Sequence, residues 1–185
     1  MECVLAPGYH PDALAALQTK RDLRLLELRD LTVVDPWVFK HITGGLVVQT
    51  QDDAGDPVAL KAVTKRGPTP AEEEALRFAW IVCKHTKSNA IVLAQQTKAV
   101  GIGGGVTSRV DAAQLAISKA GQRARGAILA SDAFFPFPDA VRVAAEAGVT
   151  AIIQPGGSRN DEQAIATCNE HEMAMVFTGV RHFRH

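Results

Sequence analysis

The chain has 185 residues, 46% hydrophobic and 22% charged, with 20 Lys+Arg against 20 Asp+Glu and a formal net charge of zero. That composition suits one soluble domain over residues 1–185 with a sizeable core. The charge balance leaves no basic field for nucleic acid, and no apolar run approaches the roughly 18–20 residues that cross a bilayer.

In chain order, Cys3–Ala6 reads as a strand, Pro11–Gln18 as a helix with proline in its first turn, and Leu23–Leu28 as a second strand. Gly44-Gly45 precedes a strand at Leu46–Gln49, and Gln51–Asp56 reads as a polar turn. Pro70 opens a strong helix. Ala71-Glu72-Glu73-Glu74 puts acids in its first turn, and its apolar face runs through Leu76, Ala79, Trp80 and Cys83. Strands follow at Ala90–Ala94 and Ala99–Ile102, then Gly103-Gly104-Gly105 and a helix from about Ser108 to Lys119. Ala127–Ala130, Thr150–Ile153 and Ala174–Phe177 are further strands, separated by helices at Pro138–Ala147 and Asp161–Glu170, with Gly148 stopping the first. Strands alternating with helices predict a three-layer α/β/α domain with a mostly parallel sheet. The loop Thr64–Pro70 could set off an N-terminal third, without amounting to a domain boundary. Cys3, Cys83 and Cys168 are scattered and odd in number, which fits reduced, buried thiols. Met1-Glu2-Cys3-Val4-Leu5 has no basic leader, so a cytoplasmic location is expected.

Three loops carry the chemistry. Ser131-Asp132-Ala133-Phe134-Phe135-Pro136-Phe137-Pro138-Asp139 keeps three rings between two carboxylates. It either shapes a pocket for a flat ligand with polar edges or plugs the core with its rings. The glycine loop Gly103-Gly104-Gly105, followed by Ser108 and Arg109 at a helix start, is either an anion site or a tight turn. It matches neither the dinucleotide fingerprint nor the P-loop. Pro155-Gly156-Gly157-Ser158 follows a strand and lies at the ligand-binding end of an open sheet. Asn89 sits at a helix-to-strand corner, where its amide reads a carboxamide or caps the turn. Lys40-His41 and Lys84-His85 suit a general base with a cationic neighbour, although solvation is the commoner role for such pairs. The basic tail Arg181-His182-Phe183-Arg184-His185 has the alternation of a docked segment. His-x-Glu and Pro-Cys-x-x-Cys, the zinc deaminase signatures, are absent from the sequence, so zinc is not expected.

Taken together, several segments resemble the second half of AICAR transformylase, the formyltransferase part of the bifunctional enzyme that also carries IMP cyclohydrolase. They are Gly44–Gln49, Val63–Arg66, Lys87–Val92, Gly101–Gly103, Ser108–Val110, Ser131–Phe137, Ile153–Ser158 and Arg181–His185. The resemblance runs from about residue 2 to the last residue. It implies a cytidine-deaminase-like α/β/α fold without zinc. It also implies formyl transfer from 10-formyltetrahydrofolate to the 5-amino group of AICAR in purine biosynthesis, with AICAR and folate as ligands and a homodimer that forms the site between subunits.

By the same resemblance, Asn89 stands beside the carboxamide and the transferring formyl group, and His185 is the terminal histidine; these are the catalytic candidates. Arg109 and Arg181 match nucleotide-site arginines, with Ser108, Gly103 and Gly104 alongside. Phe134 and Asp139 face nucleotide and folate, and Ser158 lies near the folate. A monovalent cation such as potassium is implied, with Thr86, Ser88 and Asp132 nearest. The sequence also departs from the family. Its catalytic Lys-His pair belongs to the first half, in a Lys-His-x-x-Pro-x-Gly context that neither Lys40-His41 nor Lys84-His85 has. Pro138 stands where a basic residue is common, and Ala140 where a polar one can occur. The expected partner is therefore the first half of the transformylase. The alternative is a non-catalytic nucleotide/folate-binding or dimerisation module.

Overall fold

The computed structural model describes residues 2–29, 35–53, 55 and 60–184. They separate into two units, Met1–Gln51 and Asp52–His185.

In the first unit, β1 (Cys3–Ala6) and β2 (Arg24–Glu27) pair in parallel across the crossover helix α1 (Pro11–Gln18). The Tyr9 hydroxyl ties the two strands, its one hydrogen shared between the carbonyls of Val4 and Leu26, at 2.8 and 2.9 Å. β3 (Trp37–Ile42) and β4 (Gly45–Thr50) form an antiparallel hairpin. Its register puts Trp37, Phe39, Leu46 and Val48 on one face, and all four are exposed. Thr43-Gly44, with Gly44 at φ 80°, makes the two-residue turn. β3 is absent from the sequence reading, although this turn was its signal.

In the second unit, β5 (Lys61–Ala62), α2 (Pro70–Lys84), β6 (Ile91–Gln95), β7 (Lys98–Gly103), α3 (Arg109–Ala120), β8 (Ile128–Ser131), α4 (Asp139–Glu146), β9 (Ala151–Gln154), α5 (Asp161–Glu170) and β10 (Ala174–Phe177) follow one another. They build a six-stranded sheet in the order β5-β10-β9-β8-β6-β7. The strands alternate between two cores, as a pleat requires. Ile91, Leu93, Leu129, Ile152 and Met175 pack with α3, α4 and α5. Val92, Ala130, Ile153 and Val176 pack with Leu76, Ala79 and Trp80 of α2. Helices therefore cover both faces, as expected of an α/β/α arrangement.

The expectation of a mostly parallel sheet is corrected: the sheet is mixed. Only β8, β9 and β10 run parallel, joined through α4 and α5, whereas β5–β10, β8–β6 and β6–β7 are antiparallel. For β6–β7 the reason is connection length. Gln96 and Thr97 alone join β6 to β7, and two residues close a hairpin but cannot make a parallel crossover. Cys83 and Cys168 are buried while Cys3 is exposed, and none of the three is bonded to another. Among the described residues no helix is long and apolar enough to cross a membrane.

Arg66 fastens the start of α2. Its guanidinium grips Glu72 with bonds of 2.8 and 2.9 Å and also donates to the carbonyls of Thr150 and Glu172. Glu72 in turn accepts from the Thr69 N–H at 2.8 Å and completes a capping box. Burial pushes the Glu72 carboxyl up, but the bonds from Arg66 and Thr69 outweigh it and bring the pKa from 4.5 down to about 2. A depressed acid stabilises the fold above its unfolded value and loses that contribution as pH falls through the folded one. Urea unfolding between pH 5 and pH 2 should therefore show a progressive loss of stability. Glu72→Gln should flatten this part of the profile while lowering stability at pH 7.

Candidate functional site

One edge of the second unit's sheet gathers five chain segments. β8, β9 and β10 are parallel and end there, at Ser131, Gln154 and Phe177. β6 runs the other way, so it begins at that edge with Ile91 opposite Ser131, and β7 ends there with Gly103 opposite Ile91. The Ser88-Asn89 corner, the glycine loop, the Phe/Asp loop, the Pro155–Ser158 turn and the C-terminal tail are therefore neighbours.

A cavity of about 520 Å³ opens among them. Its walls include Asn89, Ser108, Arg109, Phe134, Asp139 and Arg181, all singled out from the sequence, together with Thr107, Phe137 and Phe183. Arg109 is the organising side chain. It is 9% exposed and donates to Asp132 Oδ1 at 2.6 Å, to Ser131 Oγ at 2.8 Å and to Asn89 Oδ1 at 3.0 Å. Asp132 is almost wholly buried, and its Oδ2 meets no partner among the described residues. The Asn89 amide also donates to the Val106 carbonyl at 3.1 Å, so it holds the glycine loop as well as facing the cavity. The Ser88–Asn89 peptide is cis.

Each helix that starts here is fitted for the place. Ser108 caps α3, accepting from the Asp111 N–H. Asp139 opens α4 and accepts from the Ala140 N–H at 2.7 Å. Two helix N-termini thus point N–H groups and positive potential toward the cavity. The Phe/Asp loop satisfies both readings of its sequence at different residues. Phe135 is fully buried in the core, while Phe134 and Phe137 line the cavity and Phe137 is 62% exposed. The Arg181 guanidinium lies over the Phe134 ring, 4.7 Å from its centroid.

Other predicted residues sit nearby but off the cavity wall. Gly103 and Gly101 lie under α3, where an added Cβ would collide with the carbonyl oxygens of Ala112 and Ala116. Gly104 is crowded by Thr86 and Lys87. These glycines allow close packing. The Ser158 hydroxyl accepts from the Asn160 N–H at 3.1 Å within the turn, and the Asn160 side chain reaches the Pro136 carbonyl at 2.6 Å, joining that turn to the Phe/Asp loop. Thr86 donates to the Val82 carbonyl, and the Ser88 hydroxyl accepts from the Arg184 N–H. His185 lies outside the described residues. Lys84 closes α2 and His85 caps it against Arg184, while Lys40 and His41 occupy opposite faces of the first unit's hairpin.

Burial raises the Cys83 thiol well above its usual range, reinforced by the Asp132 carboxylate and opposed by Arg109. A thiol held protonated does not act as a nucleophile. Among the described residues no group of three or more His, Cys, Asp or Glu side chains is placed to hold a metal ion. The pairing of Arg109 with Asp132 had no local sequence signal, since 23 residues separate them.

The AICARFT/IMPCHase bienzyme family matches residues 1–119. The bifunctional purine biosynthesis protein PurH of Sorangium cellulosum (strain So ce56) is 56% identical over 189 residues, which take in 100% of this chain and 36% of that protein. The PurH proteins of Myxococcus xanthus (strain DK1622) and Anoxybacillus flavithermus (strain DSM 21510 / WK1) are 48% and 52% identical, again over 100% of this chain and 37% of theirs. The chain thus spans little more than a third of the length of these relatives. Among solved structures, Acinetobacter baumannii RibD, form 2, aligns with 58% of this chain and 33% of that one at a TM-score of 0.40 and 14% identity, a likeness too slight to build on.

Proposed function

Because the chain belongs to the AICARFT/IMPCHase bienzyme family, we propose that it supplies one wall of a site for formyl transfer from 10-formyltetrahydrofolate to the 5-amino group of AICAR, in purine biosynthesis. The observation that carries this reading is the convergence of Asn89, Arg109, Phe134, Asp139 and Arg181 on one cavity from four separate segments. The aromatic walls suit flat heterocycles. The two helix N-termini and two arginines suit a nucleotide phosphate. Asn89 presents an amide to the carboxamide and to the carbonyl being transferred.

The 5-amino group is a poor nucleophile, since the ring and the adjacent carboxamide draw off its lone pair. Catalysis then consists of holding the amine against the formyl carbon, taking up its proton and stabilising the tetrahedral oxyanion. Asn89 and the two helix N-termini serve positioning and charge. Among the described residues Asp139 is the only carboxylate on the cavity wall, and no Lys or His lines it. We place the general base in the first half of the transformylase, because neither Lys40-His41 nor Lys84-His85 has the Lys-His-x-x-Pro-x-Gly context. A second copy of the chain is the other proposed partner. A two-stranded hairpin is marginal by itself, and the exposed face of Trp37, Phe39, Leu46 and Val48 is apolar enough to need covering.

We propose Thr86, Ser88 and Asp132 as the neighbourhood of a potassium ion. The buried Asp132 Oδ2 lacks a partner among the described residues, and the hydroxyl oxygens of Thr86 and Ser88 keep lone pairs after their backbone bonds. A bound cation would offset the buried carboxylate and stiffen the Ser88-Asn89 corner.

Calorimetric titration with AICAR, followed by a transformylase assay with and without the separately expressed remainder of a PurH relative, tests the reading. Binding alone and turnover only on complementation are expected. No AICAR binding in either form, with the fold intact, overturns it. Binding without turnover even on complementation would favour a non-catalytic binding module.

A further inference from the structure

The tail after β10 runs back across the sheet edge and contributes Arg181 and Phe183 to the cavity wall. Between them, His182 points the opposite way and is 1% exposed, whereas Arg181, Phe183 and Arg184 are exposed. In an extended segment alternate side chains face opposite sides, so one buried residue sets where both its neighbours stand. The seat of His182 is built from distant parts of the unit. Its ring packs on Trp80 of α2 with centroids 4.5 Å apart and planes at 49°. Its Nδ1 lies 2.7 Å from Asp52 Oδ2, across 130 residues of chain. A carboxylate only accepts, so Nδ1 carries the hydrogen. Its backbone N–H donates to the carbonyl of Asp132, whose side chain holds Arg109.

Packing alone does not account for a histidine here. Nε2 is buried with no partner among the described residues, and an unsatisfied buried polar atom costs stability that leucine would not. The histidine is favoured over leucine by what leucine lacks, the bond to Asp52. Two further backbone links, Ser88 N–H to the Arg184 carbonyl at 3.0 Å and Arg184 N–H to Ser88 Oγ at 3.2 Å, fix the tail on its other side. Those links hold Arg184, not Arg181.

We infer that His182, latched to Asp52, is a positioning residue that seats the C-terminal tail as a strap, so that Arg181 stands over Phe134 and Phe183 closes the cavity. The consequence for ligand binding rests on the reading that this cavity takes AICAR; the seating of the strap does not. Breaking the latch leaves the sheet and helices in place but frees the wall that the tail provides.

The test uses the 185-residue chain with His182→Leu, which keeps volume against Trp80 but has no donor, and His182→Asn, which keeps an N–H for Asp52. Asp52→Ala, which removes the acceptor and should loosen the tail as His182→Leu does, provides a second route should the leucine variant fail to fold. Without ligand, hydrogen exchange of residues 180–184 should rise at least tenfold in His182→Leu while exchange in Ile91–Gln95 is unchanged, and His182→Asn should recover most of the protection. The AICAR Kd should rise about tenfold in His182→Leu and less than threefold in His182→Asn. Unchanged tail exchange in the leucine variant, or a loosened tail with an unchanged Kd, overturns the inference. A parent chain that fails to bind AICAR defeats the proposed function instead, and the strap is then judged on exchange alone.

Discussion

Arg109→Ala should unfold several kcal/mol more easily than the parent chain and should lose measurable AICAR binding. The stability loss follows from what remains behind. Asp132 is 1% exposed and Arg109 supplies the one charged partner described for it, so truncation leaves a buried carboxylate uncompensated. Removing one member of a buried pair costs about 3–5 kcal/mol. Ser131 Oγ and Asn89 Oδ1 lose a donor in the same stroke. The binding loss follows from geometry, because Asn89 is aimed by Arg109 as well as by Val106. A second substitution separates the two effects. Arg109→Ala/Asp132→Asn exchanges the stranded charge for a neutral amide and should recover more than half of the lost stability in urea melts. It should not recover binding. Recovery of both would mean that Arg109 serves the fold alone, and recovery of neither that the pair with Asp132 is not what holds this corner.

Gly103→Ala should be nearly as damaging, although it adds only a methyl group. The new carbon would run into the carbonyl oxygen of Ala112 and stand 2.9 Å from that residue's carbonyl carbon and 3.1 Å from the Ala116 nitrogen. All three atoms are helix backbone, which cannot rotate away as a side chain can. α3 must lift from β7, and overpacking typically costs about 1–3 kcal/mol, with rigid backbone neighbours placing this site at the upper end. Because Ser108 and Arg109 begin that helix, the displacement also reaches the cavity. Gly67→Ala is the control: no atom lies within 4 Å of its added carbon, and a change of less than about 0.5 kcal/mol is expected. Thermal melts of the two variants, with AICAR titration of Gly103→Ala, provide the check. Equal melting temperatures would show that the α3–β7 contact relaxes freely.

Much of this chain was legible as a string of residues. α1, α5, β1 and β10 begin and end where their local signals place them, because proline, acids in a first turn and short β-branched runs act within a few residues. The order of strands and helices announced a layered α/β domain, and the residues that resemble AICAR transformylase pointed to the family that the matches then established. Strand direction was less well read. The two-residue link at Gln96-Thr97 already required an antiparallel pair, and Thr43-Gly44 already marked a hairpin, yet alternation of elements outweighed both.

What only the tertiary structure decided is how one residue type divides between roles. Nothing in Phe134-Phe135-Pro136-Phe137 tells which ring enters the core, since that depends on the space left by α3, α4 and the sheet. Gly103 reads equally as an anion cradle or as part of a tight turn, and the structure gives it a different role, close approach to the Ala112 carbonyl of α3. The bonds from Arg109 to Asp132 and from His182 to Asp52 span 23 and 130 residues. Local preference is written in neighbouring residues, but a buried charge finds its partner only after the sheet has brought distant segments to one edge.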